Sequence, residues 1–465
     1  MPKRTRIVMT RLSGLLSLIG VSVLAFVLLN LNGCDSRSSG ASSPMVQHIV
    51  IIVQENRTPD NLFQDPVLIS RHADIDQNGL NSKGQTITLA PIDLANNYDL
   101  SHSHSAFVAM YDGGKMDGAD LIPFACDQGQ NPCPPPNTPP NPQFMYVNPA
   151  QVQPYFQLAE QYTFGDRMFQ TNQGPSFPAH QFLISGTSAP TATSNLFASS
   201  NVFPGSAAGC IAPPGSVVEL IDPSGNESKL QYPCFEHPTL NDLLDAKGVS
   251  WRYYAPSAGS IWTGPDAIQH MCQPQPQNGQ LVCTGSTWSK VIIPQTNVLT
   301  DIVTHQLPQV AWVIPNGQAS DHALVNDGSG PSWVASVVNA IGNSPSWAHT
   351  VIIITWDDWG GWYDHVPPKI VNSYEYGFRV PLIVVSPYAK AGYISHATHD
   401  FGSILKFVEK TYGLASLGYA DAPADDLSDC LDFTQAPLQF HTIAAPFSAQ
   451  HFLNDSRPAT DPDDD

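Results

Sequence analysis

His48-Ile49-Val50-Ile51-Ile52-Val53-Gln54-Glu55-Asn56-Arg57 is the stretch from which the rest of the chain can be read. Five consecutive β-branched residues, Ile49 to Val53, predict a strand buried on both faces. The run then stops in four polar residues, Gln54 to Arg57. In open α/β sheets, ligands bind just beyond the carboxyl ends of the strands. A second stretch has the same design. Val351-Ile352-Ile353-Ile354-Thr355 is followed by Trp356-Asp357-Asp358. Two adjacent carboxylates repel unless a cation or a proton lies between them. Two buried strands ending in oxygen ligands therefore predict one metal site shared by neighbouring strand ends. A carboxylate and an amide such as Glu55 and Asn56 suit a hard cation.

The segments between and after these runs alternate in type. Helices are predicted over Pro154 to Glu160, Leu240 to Lys247, Trp333 to Gly342 and Gly402 to Tyr412, and strands over Ser250 to Tyr254, Gln309 to Ile314 and Phe378 to Val385. Gly248, Gly342 and Gly413 supply the helix stops. This alternation predicts an α/β/α sandwich on a mostly parallel sheet. Pro- and Gly-rich stretches near 120–145, 185–235 and 256–300 read as loop-rich insertions in a domain running over 46–453, with 454–465 a disordered acidic tail. Asp74-Ile75-Asp76-Gln77-Asn78-Gly79 has the opening of a calcium loop without its closing Glu, and reads as an Asx-rich turn.

Lys and Arg total 20 against 40 Asp and Glu, a net charge of −20, which makes nucleic-acid phosphates poor partners. Lys3, Arg4, Arg6 and Arg11 precede an uncharged run from Leu12 to Leu29, and Leu31-Asn32-Gly33-Cys34 follows. Residues 1–34 resemble a bacterial lipoprotein signal with Cys34 as the lipid attachment point and 35–45 as a tether. An ordinary signal peptide and an uncleaved anchor are the other readings, and all three put the domain outside the cytoplasm. The remaining cysteines agree. Cys126 and Cys133, Cys210 and Cys234, and Cys272 and Cys283 are close in sequence and predict local disulfides, with Cys430 left over.

Ser176 lies between Pro175 and Pro178, which reads as a rigid turn suited to fixing a nucleophile. Glu55-Asn56-Arg57, Asp99-x-x-His102, Gly113-Gly114-Lys115-Met116-Asp117-Gly118, Gly174-Pro175-Ser176, Asp321-His322, Asp357-Asp358 with Gly360-Gly361-Trp362-Tyr363-Asp364-His365-Val366, and Gly377-Phe378-Arg379-Val380-Pro381 occur in this order. Together they resemble the bacterial phosphoesterase family that contains the non-zinc phospholipases C and related acid phosphatases, from about His48 to Tyr412. The resemblance implies an alkaline-phosphatase-like core. It implies one divalent metal ion on Glu55, Asn56, Ser176, Asp357 and Asp358, with Ser176 the nucleophile. It places His102, His322 and His270 near the transferred phosphoryl group. Calcium, magnesium, manganese and zinc all accept such ligands.

Phospholipase members typically continue Glu-Asn-Arg with Ser-Phe-Asp-His-Tyr-Phe-Gly. Here Thr58-Pro59-Asp60-Asn61-Leu62-Phe63 follows, so the metal pair is kept and phospholipid specificity does not follow. The implied activity is a metal-dependent phosphomonoesterase of acid-phosphatase type working through a phosphoserine. A phospholipase C acting on phospholipid and a non-catalytic, surface-anchored binding lipoprotein are the alternatives.

Overall fold

Ile49 to Val53 are fully buried at the middle of an eight-stranded sheet. The computed structural model describes residues 45–126, 132–204 and 207–459. In chain order the main strands are β1 (His48–Gln54), β2 (Thr163–Gly165), β3 (Trp251–Tyr254), β4 (Val291–Ile292), β5 (Val310–Val313), β6 (Thr350–Trp356), β7 (Leu382–Val385) and β8 (Tyr393–Ser395). They lie in the order β4-β3-β5-β1-β6-β7-β2-β8. Neighbours are parallel except at β7, which runs antiparallel to both β6 and β2. Burying each large aliphatic side chain of β1 and β6 is worth about 1.5–3 kcal/mol, which explains why the two longest apolar runs take the centre.

The principal helices are α1 (His104–Tyr111), α2 (Gln153–Gln161), α3 (Ser176–Ser185), α4 (Leu240–Lys247), α5 (Gly330–Gly342) and α6 (Phe401–Tyr412). They form two groups. α3 packs with α4 and α6, and α2 packs with α5. Two helical groups around a sheet whose central strands are buried on both faces make the expected three-layer α/β/α architecture. α4 begins at a capping box between Thr239 and Asp242 and stops at left-handed Gly248. α6 stops at left-handed Gly413. Both stops fall where the glycines predict them.

The expected insertions carry their own small elements. Phe197–Ala198, Val218–Ile221 and Lys229–Gln231 make an antiparallel sheet, and Gln275–Gln277 pairs with Gln280–Val282. Three disulfides, Cys126–Cys133, Cys210–Cys234 and Cys272–Cys283, pin these loops. Cys430 is a buried free thiol, pushed up to about 12 by burial.

The tail expectation needs correction at its start. Residues 454–459 are seated on the domain, with Gln318 donating to the Pro458 carbonyl at 3.0 Å and Arg457 paired to Asp327 at 2.7 Å. A cation inside the acidic tail supplies the anchor that a count of aspartates overlooks. The expected signal segment with Cys34, the expected tether up to residue 44 and residues 460–465 lie outside the described residues. Among the described residues no helix is long and apolar enough to cross a membrane.

Candidate active site

The parallel register of β1 and β6 runs from His48 opposite Thr350 to Gln54 opposite Trp356. It continues past the strand ends, where Asp357 N donates to Gln54 O at 2.9 Å and Arg57 N to Asp358 O at 3.0 Å. Glu55 and Asn56 are thereby laid beside Asp357 and Asp358, all four fully buried. Asn56 adopts φ +61°, a left-handed conformation that Asn tolerates better than most residues. Its backbone N–H and that of Asp358 both donate to Asp357 Oδ1, at 3.1 and 2.7 Å. Gly360 N donates to Asp358 Oδ1 at 2.8 Å. A Cβ on Gly360 would stand 2.4 Å from the Asn56 carbonyl, and one on Gly361 2.4 Å from Leu100 Cβ. Two glycines therefore let the loop after β6 lie against both the Asn56 turn and the segment carrying His102.

Ser176 is not in a free turn. It opens α3, with Pro175 as the N-cap residue and Pro178 inside the first turn. Proline is tolerated there because the first helical N–H groups have no partner within the helix. The punctuation that reads as a turn is in fact a helix start. Asn201, from the insertion, accepts a bond from Phe177 N at 2.9 Å at this helix end. Ser176 Oγ–H donates to Asp358 Oδ2 at 3.3 Å.

The helix also brings in a residue to which the sequence motifs assign no role. His180, one turn after Ser176, sits with Nε2 3.3 Å from Glu55 Oε1 and 3.8 Å from Asp357 Oδ2. Its burial pulls the imidazole down to about 4, so it is neutral near pH 7. The i, i+4 spacing from Ser176 is the signal that would have found it, had the segment been read as a helix.

His102 and His322 come together from different elements, with ring centroids 6.0 Å apart. His102 Nδ1 lies 2.9 Å from the Leu100 carbonyl, and Nε2 lies 3.2 Å from Asn56 Nδ2 and 3.9 Å from Asp358 Oδ2. His322 Nδ1 lies 2.7 Å from the Ala323 carbonyl and 3.9 Å from Asp99 Oδ2. His270 is not brought to this cluster. It lies between Glu236 Oε1 at 2.8 Å and Asp242 Oδ1 at 3.0 Å, and Asp242 first, then Glu236, hold its imidazole up at about 9. Two surface carboxylates satisfy it there, which corrects the expectation that it meets the phosphoryl group.

The residues present fit a bound cation. Asn56 Oδ1 and Asp357 Oδ2 are buried oxygens that accept no hydrogen bond, and three carboxylates, Glu55, Asp357 and Asp358, are buried at one strand-end junction. Burying charge this way is costly without compensation. Behind the junction, buried Arg57 donates to the Asp321 carbonyl at 2.9 Å and lies 5.0 Å from the centre of the Trp362 ring. Burial pushes the Asp321 carboxyl up to about 6 against the pull of Arg57. Asp321 Oδ2 accepts from Tyr155 Oη at 2.8 Å and Trp356 Nε1 at 2.9 Å. This buried scaffold ties the residue after Asn56 to the residue before His322.

Asp60, Asp364 and His365 form a second cluster with metal-like spacing. There the guanidinium of buried Arg379 takes the place of a cation, bonding Asp364 at 2.8 and 2.9 Å and Asp60 at 3.4 Å. The departure from the phospholipase spelling falls in the same region. Thr58 to Phe63 are all buried. Thr58 Oγ1 donates to Tyr363 O at 2.9 Å, Asn61 Nδ2 donates to Met145 O at 2.8 Å, and Asp60 belongs to the Arg379 cluster. These side chains are spent on internal bonds.

The chain is similar to several curated proteins. A hemolytic phospholipase C of Pseudomonas aeruginosa is 25% identical over 453 residues, covering 84% of this chain and 56% of that protein. Phospholipase C B of Mycobacterium tuberculosis is 22% identical over 455 residues, covering 84% of this chain and 78% of the relative. The chain spans 56% and 40% of the lengths of the hemolytic and non-hemolytic Pseudomonas relatives. Among solved structures, a protein in the alkaline phosphatase superfamily from Vibrio parahaemolyticus is 11% identical, with 81% of this chain and 69% of that one covered at a TM-score of 0.34. The profile of the phosphoesterase family matches residues 46–415, a span holding every strand of the main sheet together with Glu55, Ser176, His322 and Asp358, and the chain belongs to that family.

Proposed function

We propose that this chain is an extracytoplasmic, metal-dependent hydrolase of phosphate esters that works through a phosphoserine on Ser176, of phosphomonoesterase type. The observation that carries the reading is Ser176 Oγ at 3.3 Å from Asp358 Oδ2, at the start of a helix and beside the buried Glu55, Asn56 and Asp357. Glu55, Asn56, Ser176, Asp357 and Asp358 would hold the cation. When bound, a divalent ion lowers the pKa of a coordinated oxygen and offsets charge on the phosphoryl group.

The chain's own residues support the remaining steps. The Ser176 proton is directed at Asp358 Oδ2. Ser176 Oγ attacks phosphorus, the ester P–O bond breaks, and the leaving alkoxide takes a proton from His102 or His322. Water then gives a proton to the histidine that served as the acid and attacks phosphorus, the P–Oγ bond breaks, and Ser176 regains its proton from Asp358 as phosphate leaves. The amide ends of α3 favour the anionic substrate. Phosphoryl transfer needs alignment and charge stabilisation more than covalent help, which suits a site built on rigid strand ends.

The phospholipase C names of the relatives favour a second reading, cleavage of a phospholipid phosphodiester by the same serine. The disulfides and the basic and apolar N-terminus support a site outside the cytoplasm. One experiment separates the readings. Purified protein is assayed on p-nitrophenyl phosphate and on phosphatidylcholine, each with and without excess chelator. The proposal expects faster phosphomonoester turnover, lost on long incubation with chelator and lowered by at least about 10³-fold in Ser176→Ala. Turnover of Ser176→Ala within a few-fold of wild type overturns the nucleophile, and a preference for phosphatidylcholine selects the phospholipase reading.

A further inference from the structure

His180 is fully buried, one helical turn from Ser176, and its ring is fixed from behind. Nδ1 lies 3.3 Å from Tyr253 Oη. The single hydroxyl proton of Tyr253 is already spent, because Oη donates to the Trp262 carbonyl at 2.8 Å. Tyr253 Oη can therefore only accept from the imidazole, which puts the ring proton on Nδ1 and the lone pair on Nε2. That lone pair faces Glu55 Oε1 at 3.3 Å and Asp357 Oδ2 at 3.8 Å, yet Nε2 and Asp357 Oδ2 make no hydrogen bond. The ligand atoms of Glu55, His180 and Asp357 lie within 4.8 Å of one another. Ligands around an ion bound at about 2.0–2.2 Å sit roughly 3–4.3 Å apart. Three acceptors converging at such spacing lower their mutual repulsion by sharing a cation.

We propose that His180 Nε2 is a ligand of the cation held by Glu55 and Asp357, and that this nitrogen tunes the site to zinc or a first-row transition dication over calcium and magnesium. The inference rests on the cation reading given under Proposed function and extends its ligand set. Imidazole suits zinc, copper, iron and nickel, whereas calcium and magnesium take oxygen ligands almost throughout. The Tyr253 hydrogen bond to Nδ1 is the outer-sphere partner that commonly fixes the tautomer of a ligating histidine.

The test uses the full chain, stripped with chelator and reloaded with MnCl₂ alone. Pulsed EPR of the bound Mn²⁺ reads directly coordinated nitrogen, and calorimetry compares Mn²⁺ with Mg²⁺. The expected result is a ¹⁴N coupling of imidazole type and at least tenfold tighter Mn²⁺ than Mg²⁺ binding. In His180→Gln the coupling disappears and Mn²⁺ affinity falls by more than about tenfold, the lower end of the loss from even an outer-shell partner. Bound Mn²⁺ without nitrogen coupling in the wild type, an unchanged coupling in the variant, equal Mn²⁺ and Mg²⁺ affinity, or no Mn²⁺ binding each overturns the proposal. The wild-type spectrum decides even if the variant fails to fold. Nitrogen-free Mn²⁺ beside intact, Ser176-dependent hydrolysis removes this ligand and leaves the hydrolase reading standing.

Discussion

His102 and His322 each place Nδ1 against a backbone carbonyl, of Leu100 and Ala323, and a carbonyl can only accept. Each ring therefore gains or loses its working proton at Nε2. The two are otherwise unlike. His102 Nε2 faces the Asn56 amide at 3.2 Å and the Asp358 carboxylate at 3.9 Å, whereas His322 has the Asp99 carboxylate 3.9 Å from Nδ1, on the side away from Nε2. With Asn56 Nδ2 as the donor, a proton on His102 Nε2 would meet another N–H. On this ground we propose His322 as the acid. His322→Ala should lower turnover of an alkyl phosphate by about 10²–10⁴-fold and that of p-nitrophenyl phosphate far less, because a good leaving group needs no proton. Equal losses on the two substrates would move the role to His102. Asp99-x-x-His102 and Asp321-His322 point to both histidines through the family resemblance. Nothing in the sequence told which backbone carbonyl each ring meets, because that depends on how distant loops pack.

Gly360 lets one element approach another. It has φ +62°, and an added Cβ would stand 2.4 Å from Asn56 O and 2.6 Å from Asn56 Cβ. Gly248, at the end of α4, has nearly the same conformation, φ +72°, with nothing within 4 Å of a Cβ. The comparison separates backbone strain from steric intrusion. Gly248→Ala should cost about 1–2 kcal/mol, the price of a left-handed non-glycine residue, and leave hydrolysis unchanged. Gly360→Ala should cost more than Gly248→Ala by denaturant unfolding and should reduce activity at least tenfold by displacing Asn56. Equal stability and activity in the two variants would show that the β6 loop yields without moving the site. The strand runs themselves were readable because burial on both faces leaves continuous β-branched sequence. The start of α3 does not show as a helix in the sequence because proline serves both turns and first helical turns.

Across the whole molecule, one ion network ties residues 60–76 to residues 364–379. His365 bonds Asp60 Oδ2 at 2.7 Å and Asp74 Oδ1 at 3.1 Å, and Arg379 bridges Asp60 and Asp364. Burial opposes the charge on His365, but the bond to Asp60 and the charges of Asp60 and Asp364 prevail and raise it to about 9. The folded value lies above the ordinary value near 6.5, so the protonated form stabilises the fold. That contribution is complete below about pH 6.5 and is lost as pH rises through about 9. The melting temperature of wild type should fall by about 2–4 °C between pH 6.5 and 9.5 from this group, and the slope should flatten in His365→Gln. An identical slope in the variant would place the pH dependence elsewhere. Taken alone, the sequence determined the sheet class, the two central strands, the strand-end location of Glu55, Asn56, Asp357 and Asp358, and the three local cysteine pairs. These follow from local pattern, since continuous apolar runs must be buried and polar residues must leave them. Only the tertiary structure decided that His180 faces the carboxylates, that His270 is held by Glu236 and Asp242, and that Thr58 to Phe63 are spent inside the domain. Those outcomes depend on which side chains from distant segments meet, and strand register and helix packing fix that through three-dimensional contact rather than through local pattern.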